Sequence, residues 1–168
     1  MEAHPWLAVT QAQALRFFFE HLRDVTEDSG APHPELLYNA SVLAHFATTS
    51  TSSADFPNAP SSLDRVFDLF VLDRSHHFDP EIMEAAASQC LLLTGFFGAQ
   101  LRHRHNLSWY ATLGAGFFSR AAQAATDRAR ADMMRTMAGR FAFWRCQQAR
   151  LAKELRDQPR LINAMPCP

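Results

Sequence analysis

Four cationic or titratable side chains follow one another at Arg102, His103, Arg104 and His105, and Ser108, Trp109 and Tyr110 stand just beyond them. A neutral imidazole beside arginine is the pairing that a general base uses against an anionic substrate. Such chemistry also needs a nucleophile, and the sequence specifies none. Ser108 and Cys90 qualify by type alone, in no G-x-S-x-G or Cys–His arrangement. Without catalysis the stretch reads as a basic corner between two helices. We therefore assign no catalytic residue and treat the corner as a ligand- or partner-binding site made of Arg102, His103, Arg104, His105, Trp109, Tyr110, Phe97 and Phe117.

Two other groupings offer less. Asp73, His76, His77, Asp79 and Glu81 crowd together with nitrogen and oxygen donors. A helical metal site, however, usually brings its ligands three or four residues apart onto one face, as in the H-E-x-x-H or paired E-x-x-H motifs, and neither motif occurs here. Asp79 and Glu81 have a simpler role as carboxylates at a helix start. The segment Leu113 to Phe118, "LGAGFF", holds G-x-G but no third glycine, no preceding strand and no Lys-Ser/Thr. Neither a metal nor a cofactor is expected.

The elements that must position the corner are helices. Apolar residues recur at three- and four-residue steps and sustained period-two alternation is absent, which predicts an all-α, single-domain bundle of about six helices over residues 1–157. The first spans about 5–25, with Leu15, Phe18, Phe19 and Leu22 on one face. Pro34 opens the second, with a stripe of Leu36, Leu37, Ala40, Leu43, Ala44 and Ala47. A Ser/Thr-rich stretch, 48–62, reads as a mobile loop before a third helix carrying Val66, Phe67, Phe70 and Val71. Asp79 caps a fourth over about 80–102, and Asn106 or Ser108 a fifth over about 107–125.

A long last helix over about 127–157 sets Met137, Phe141, Trp144, Gln148, Leu151 and Leu155 at alternating steps of four and three. This seam is expected to pack within its own bundle rather than against a second copy. Residues 158–168 read as a proline-containing tail. Gly95, Gly98, Gly114 and Gly116 flank the basic corner, and glycine inside a helix is costly by about 1 kcal/mol relative to alanine. An antiparallel crossing in which one glycine pair meets the other would explain them, with Phe96, Phe97, Phe117 and Phe118 filling space around it. Tyr110-x-x-Leu113-Gly114-x-x-Phe117 matches half of a tetratricopeptide repeat, but the other half fails at Thr126 and Arg130 and no second copy follows.

Hydrophobic residues form 48% of the chain and charged ones 20%, enough to build a core and too apolar for a chain disordered throughout. No run reaches the roughly 18 apolar residues of a membrane span, and the N-terminus lacks the pattern of a secretory signal. Three widely spaced cysteines suggest neither a disulfide framework nor zinc. The expected setting is cytoplasmic, with no membrane partner.

Net charge is only -1, yet it is unevenly distributed. Residues 1–100 hold 4 Arg against 13 Asp or Glu, a balance of -9; residues 101–168 hold 12 Lys or Arg against 4 Asp or Glu, a balance of +8. Arg128, Arg135, Arg145, Arg150, Lys153 and Arg156 lie off the apolar arc of the last helix. A solvated polar face explains them more simply than nucleic-acid binding does, and the acidic half of the chain offers them counter-charges within a bundle or across a dimer.

The region 91–122 carries Gly95-Phe96-Phe97, a basic turn from Arg102 to His105, Tyr110, Leu113-Gly114 and then Phe117 or Phe118. In this it resembles the centre of a group of bacterial all-helical proteins to which no activity is assigned. The resemblance implies a helical bacterial protein and transfers no catalytic residue. From the residues themselves, the expected function is a non-enzymatic helical protein-interaction or regulatory role, through a protein partner or self-association. The alternative is a binding protein for a small anionic or amphipathic molecule, or an enzyme, using the 95–118 hairpin.

Overall fold

The computed structural model describes residues 10–51 and 79–157. Among these the fold is all-α, as the periodicity predicts, with seven helices and no strand: α1 Gln11–Val25, α2 His33–Thr51, α3 Pro80–Thr94, α4 Gly98–Leu101, α5 Leu107–Ala124, α6 Arg128–Gly139 and α7 Phe141–Asp157. No described helix is long and apolar enough to cross a membrane. The expected third helix and the proline-containing tail lie outside the described residues. The chain groups into two compact units, 1–57 with 150–168, and 58–149.

In the first unit, α1 starts later than the expected position near Pro5. Thr10, in extended backbone, closes a capping box: its hydroxyl accepts the Gln13 N–H at 3.2 Å while Gln13 Oε1 accepts the Thr10 N–H at 3.0 Å. Ala14, Leu22 and Val25 are buried, while Leu15, Phe18 and Phe19 are half-buried. Thr26 ends the helix by donating its hydroxyl to the Leu22 carbonyl at 2.7 Å. A single 3-10 turn, Glu27–Ser29, follows, closed by Gly30 in the left-handed region at φ 59°. α2 then returns antiparallel, its Thr48 hydroxyl meeting Gln11 Oε1 at 2.7 Å. It continues to Thr51, past the point where the Ser/Thr-rich loop is expected to begin. Leu36, Ala40, Leu43 and Ala44 of its stripe are buried, but Leu37 is exposed.

The second unit is built on α3 packed along α5, which packs in turn on α6. Asp79 Oδ1 caps α3 by accepting the Glu81 and Ile82 N–H groups at 2.9 and 3.2 Å, with Pro80 in the first turn. The core takes Met83, Cys90, Leu91, Phe117, Phe118, Met134, Met137, Phe141 and Trp144. The single expected C-terminal helix is interrupted at one residue: Arg140, at φ -109° and ψ 17°, separates α6 from α7 just after Gly139. The heptad-like seam survives this break. Met137, Phe141, Trp144, Gln148, Leu151 and Leu155 are all buried, so the seam serves this chain's own packing.

The glycines do not meet one another. A Cβ on Gly114 would fall 2.7 Å from Cys90 Cβ and 2.7 Å from Phe141 Cζ, so Gly114 lets α5 approach α3 and α7. One on Gly95 would fall 2.8 Å from the Leu91 carbonyl oxygen and 3.0 Å from that of Arg145. Gly116 faces open space and Gly98 has only an ordinary contact with Leu107. Two of the four glycines are therefore required by close approach, each against a different neighbour from the one expected.

Candidate functional site

α3 cannot run on to residue 102 as the sequence suggests, because the chain turns at Gly95-Phe96-Phe97. The Gly95 N–H bonds Leu91 O at 2.8 Å, and Phe97 N–H reaches back to Leu92 O at 3.1 Å. Arg145 secures this turn from α7, its Nε donating to the Thr94 carbonyl at 3.1 Å. Expected on a solvated basic face, Arg145 is instead half-buried, and it satisfies one of the carbonyls that a helix C-terminus leaves open. Glycine at 95 is what admits the α7 backbone so close.

The short α4 leads into the basic turn. N–H groups of Arg104 and His105 both bond Leu101 O, at 3.0 and 3.1 Å. Asn106 then caps α5, its side-chain oxygen accepting the Trp109 N–H at 3.2 Å. A tight backbone thus presents Arg102, His103 and Arg104, all exposed, between two helices. Arg102 Nε donates to His103 Nε2 at 3.3 Å, and Arg104 has no side-chain hydrogen bond or ion pair among the described residues.

The aromatic members divide. Trp109 is 41% exposed and stands edge-on to the buried Tyr110, ring centres 4.9 Å apart at 86°. His105, half-buried, meets Tyr110 at 6.1 Å and 86°. Tyr110 is therefore a support that holds Trp109 and His105 at the surface. Phe97 is half-buried against Phe96 at 5.1 Å. Phe117 is buried in the core, about 10 Å further along α5 than Tyr110 at 1.5 Å per residue. The structure brings together Arg102, His103, Arg104, His105, Trp109 and Tyr110, with Phe117 buried further along α5.

Cys90, a nucleophile candidate by type, lies sealed beneath Gly114, and burial pushes its thiol up to about 12. It stays protonated near neutral pH and does not supply a thiolate. Ser108 is exposed on the first turn of α5. His76 and His77 lie outside the described residues; among the described ones, no three His, Cys, Asp or Glu side chains form a metal-holding group. Elsewhere two basic residues of α6 are drawn into ion pairs, Arg130 with Glu84 of α3 and Arg135 with Asp132 at 2.6 Å. Arg128, Arg150, Lys153 and Arg156 are exposed, as their positions off the seam imply.

No protein-family model, curated protein or solved structure matches the chain.

Proposed function

We propose that this chain is a non-enzymatic helical protein-interaction or regulatory protein, and that its contact surface is the basic, aromatic tip between α3 and α5. The observation that carries this reading is Trp109, exposed beside three consecutive exposed basic side chains on a turn braced by a helix cap. Tryptophan and arginine are the side chains that most often anchor protein interfaces, because they bring large area or a fixed donor fork at modest entropic cost. Tyr110 beneath Trp109 limits the rotamers the ring loses on binding, which favours affinity. The small-ligand alternative draws on Arg102 and Arg104 but loses Phe117, the inner aromatic wall it calls for, to the core.

Capture from an extract of the source organism, followed by light scattering of the recovered complex, tests the reading. The wild-type chain retains a protein partner or self-associates, and R102E/R104E/W109A loses it while keeping its helical circular dichroism. A strictly monomeric chain that retains nothing, or a triple variant that binds as well as wild type, overturns it.

A further inference from the structure

Two exposed large apolar side chains occur among the described residues, Leu37 and Trp109, at 42% and 41%. Each stands beside a charged turn, and the charges are opposite. Trp109 follows Arg102, His103 and Arg104. Leu37 lies in the second turn of α2, after a segment that exposes Asp24, Glu27, Asp28 and Pro32. Asp24 pairs only loosely with Arg23, at 3.5 Å between exposed groups, and neither Glu27 nor Asp28 has a side-chain hydrogen bond or ion pair among the described residues. Both turns are held by helix ends, the acidic one by the Thr26 hydroxyl and Gly30, the basic one by Asn106.

Resting on the interaction reading above, we propose that the tip's partner is the acidic turn of a second copy of this chain, with Glu27 and Asp28 facing Arg102 and Arg104, and Leu37 and Pro32 covering Trp109. Charge decides the geometry. A two-fold symmetric pairing of tip with tip would set like arginines against each other, which costs stability, whereas tip on turn sets opposite charges together. The balance of -9 over residues 1–100 against +8 over 101–168 favours the same polarity along the whole chain. A contact between two different patches can be made twice within one two-fold pair, close into a larger ring or run on as an open chain. Two small turns bury less than a standard interface, so the association is weak and salt-sensitive.

Sedimentation and light scattering of the purified chain test this directly. In low salt the average mass rises with concentration above that of the monomer. Raising ionic strength from about 0.01 M to about 1 M shortens the screening length from about 30 Å to about 3 Å and weakens association about tenfold or more. R102E/R104E alone and E27R/D28R alone are each monomeric, because each makes tip and turn alike in sign. Mixing those two variants, or combining all four substitutions in one chain, restores association. W109S and L37S each weaken it without altering its salt dependence. A wild type that stays monomeric in low salt, or reversals that do not complement each other, overturns the proposal. If self-association is absent while R102E/R104E/W109A still loses a partner from the extract, the second copy is wrong and the interaction surface stands.

Discussion

Gly114 and Arg104 lie ten residues apart in one helical hairpin and answer to opposite demands. At Gly114 the addition of one carbon meets Cys90 on one side and Phe141 on the other; at Arg104 a whole guanidinium projects with no partner among the described residues. The inner end of the hairpin is constrained by close packing, and interiors at crystal-like density give way poorly. The outer end is held by its backbone, through the Asn106 cap and the Leu101 carbonyl, and by ring contacts on Tyr110. The same hairpin thus has an end whose sequence is dictated by close packing and an end that exposes Arg102, His103, Arg104 and Trp109.

The comparison breaks most forcefully at Trp144, fully buried on α7. Trp144→Ala is expected to cost about 3–5 kcal/mol of unfolding free energy by urea titration, since the cavity adds to the lost transfer energy. A loss below about 1 kcal/mol would mean that Trp144 is not held in a packed core.

The two glycines of α5 sharpen the contrast within one helix. Gly114→Ala gains about 1 kcal/mol of helix propensity but overpacks at a cost of about 1–3 kcal/mol, so a net loss of about 1 kcal/mol is expected. Gly116→Ala meets nothing within 4 Å and is expected to raise stability by about 0.5–1 kcal/mol. Opposite signs in thermal or urea unfolding support the close approach at 114; equal signs refute it.

Cys90 gives a gentler probe of the same inner end. Its thiol is pushed up to about 12 in the fold, while the unfolded chain ionises it near the ordinary value of 9.0. Below about pH 9 the group is protonated in both states and contributes no slope; as pH climbs toward about 12 the unfolded state loses its proton first, and stability falls. Wild type minus Cys90→Ala, followed by unfolding at a series of pH values, should show that decline only above about pH 9. Native-state alkylation at pH 8 should modify the exposed Cys146 and spare Cys90.

The smallest effect belongs to the outer end. R102E/R104E should shift the unfolding free energy by less than about 0.5 kcal/mol, as expected for exposed substitutions away from caps and cores. A loss of several kcal/mol would show that these arginines are part of the fold and not spare surface.

Much of this organisation is legible residue by residue. Asp79 before Pro80, and Asn106 before the apolar run of α5, announce helix starts because their short oxygen-bearing side chains fit N–H groups that the helix leaves open. The seam from Met137 to Leu155 is readable through a one-residue break because its period follows the helix surface. The break at Arg140 is not readable, since arginine is a good helix former and only its backbone angles betray it. Phe97 and Phe117 illustrate the limit at the site: both are phenylalanines beside a glycine, and only the packing of neighbouring helices leaves one half-buried near the tip and puts the other in the core.

By itself the sequence determined the all-helical class, the Asp79 cap, the buried seam and the division of charge along the chain, because each follows from local chemistry or from a period of three to four residues. Tertiary structure decided that Gly95 and Gly114 are required by close approach, that Arg145 closes the end of α3, and that Leu37 and Trp109 are the large apolar side chains left exposed among the described residues. Those outcomes depend on which surfaces meet, and no spacing along a single chain encodes a neighbour from another helix.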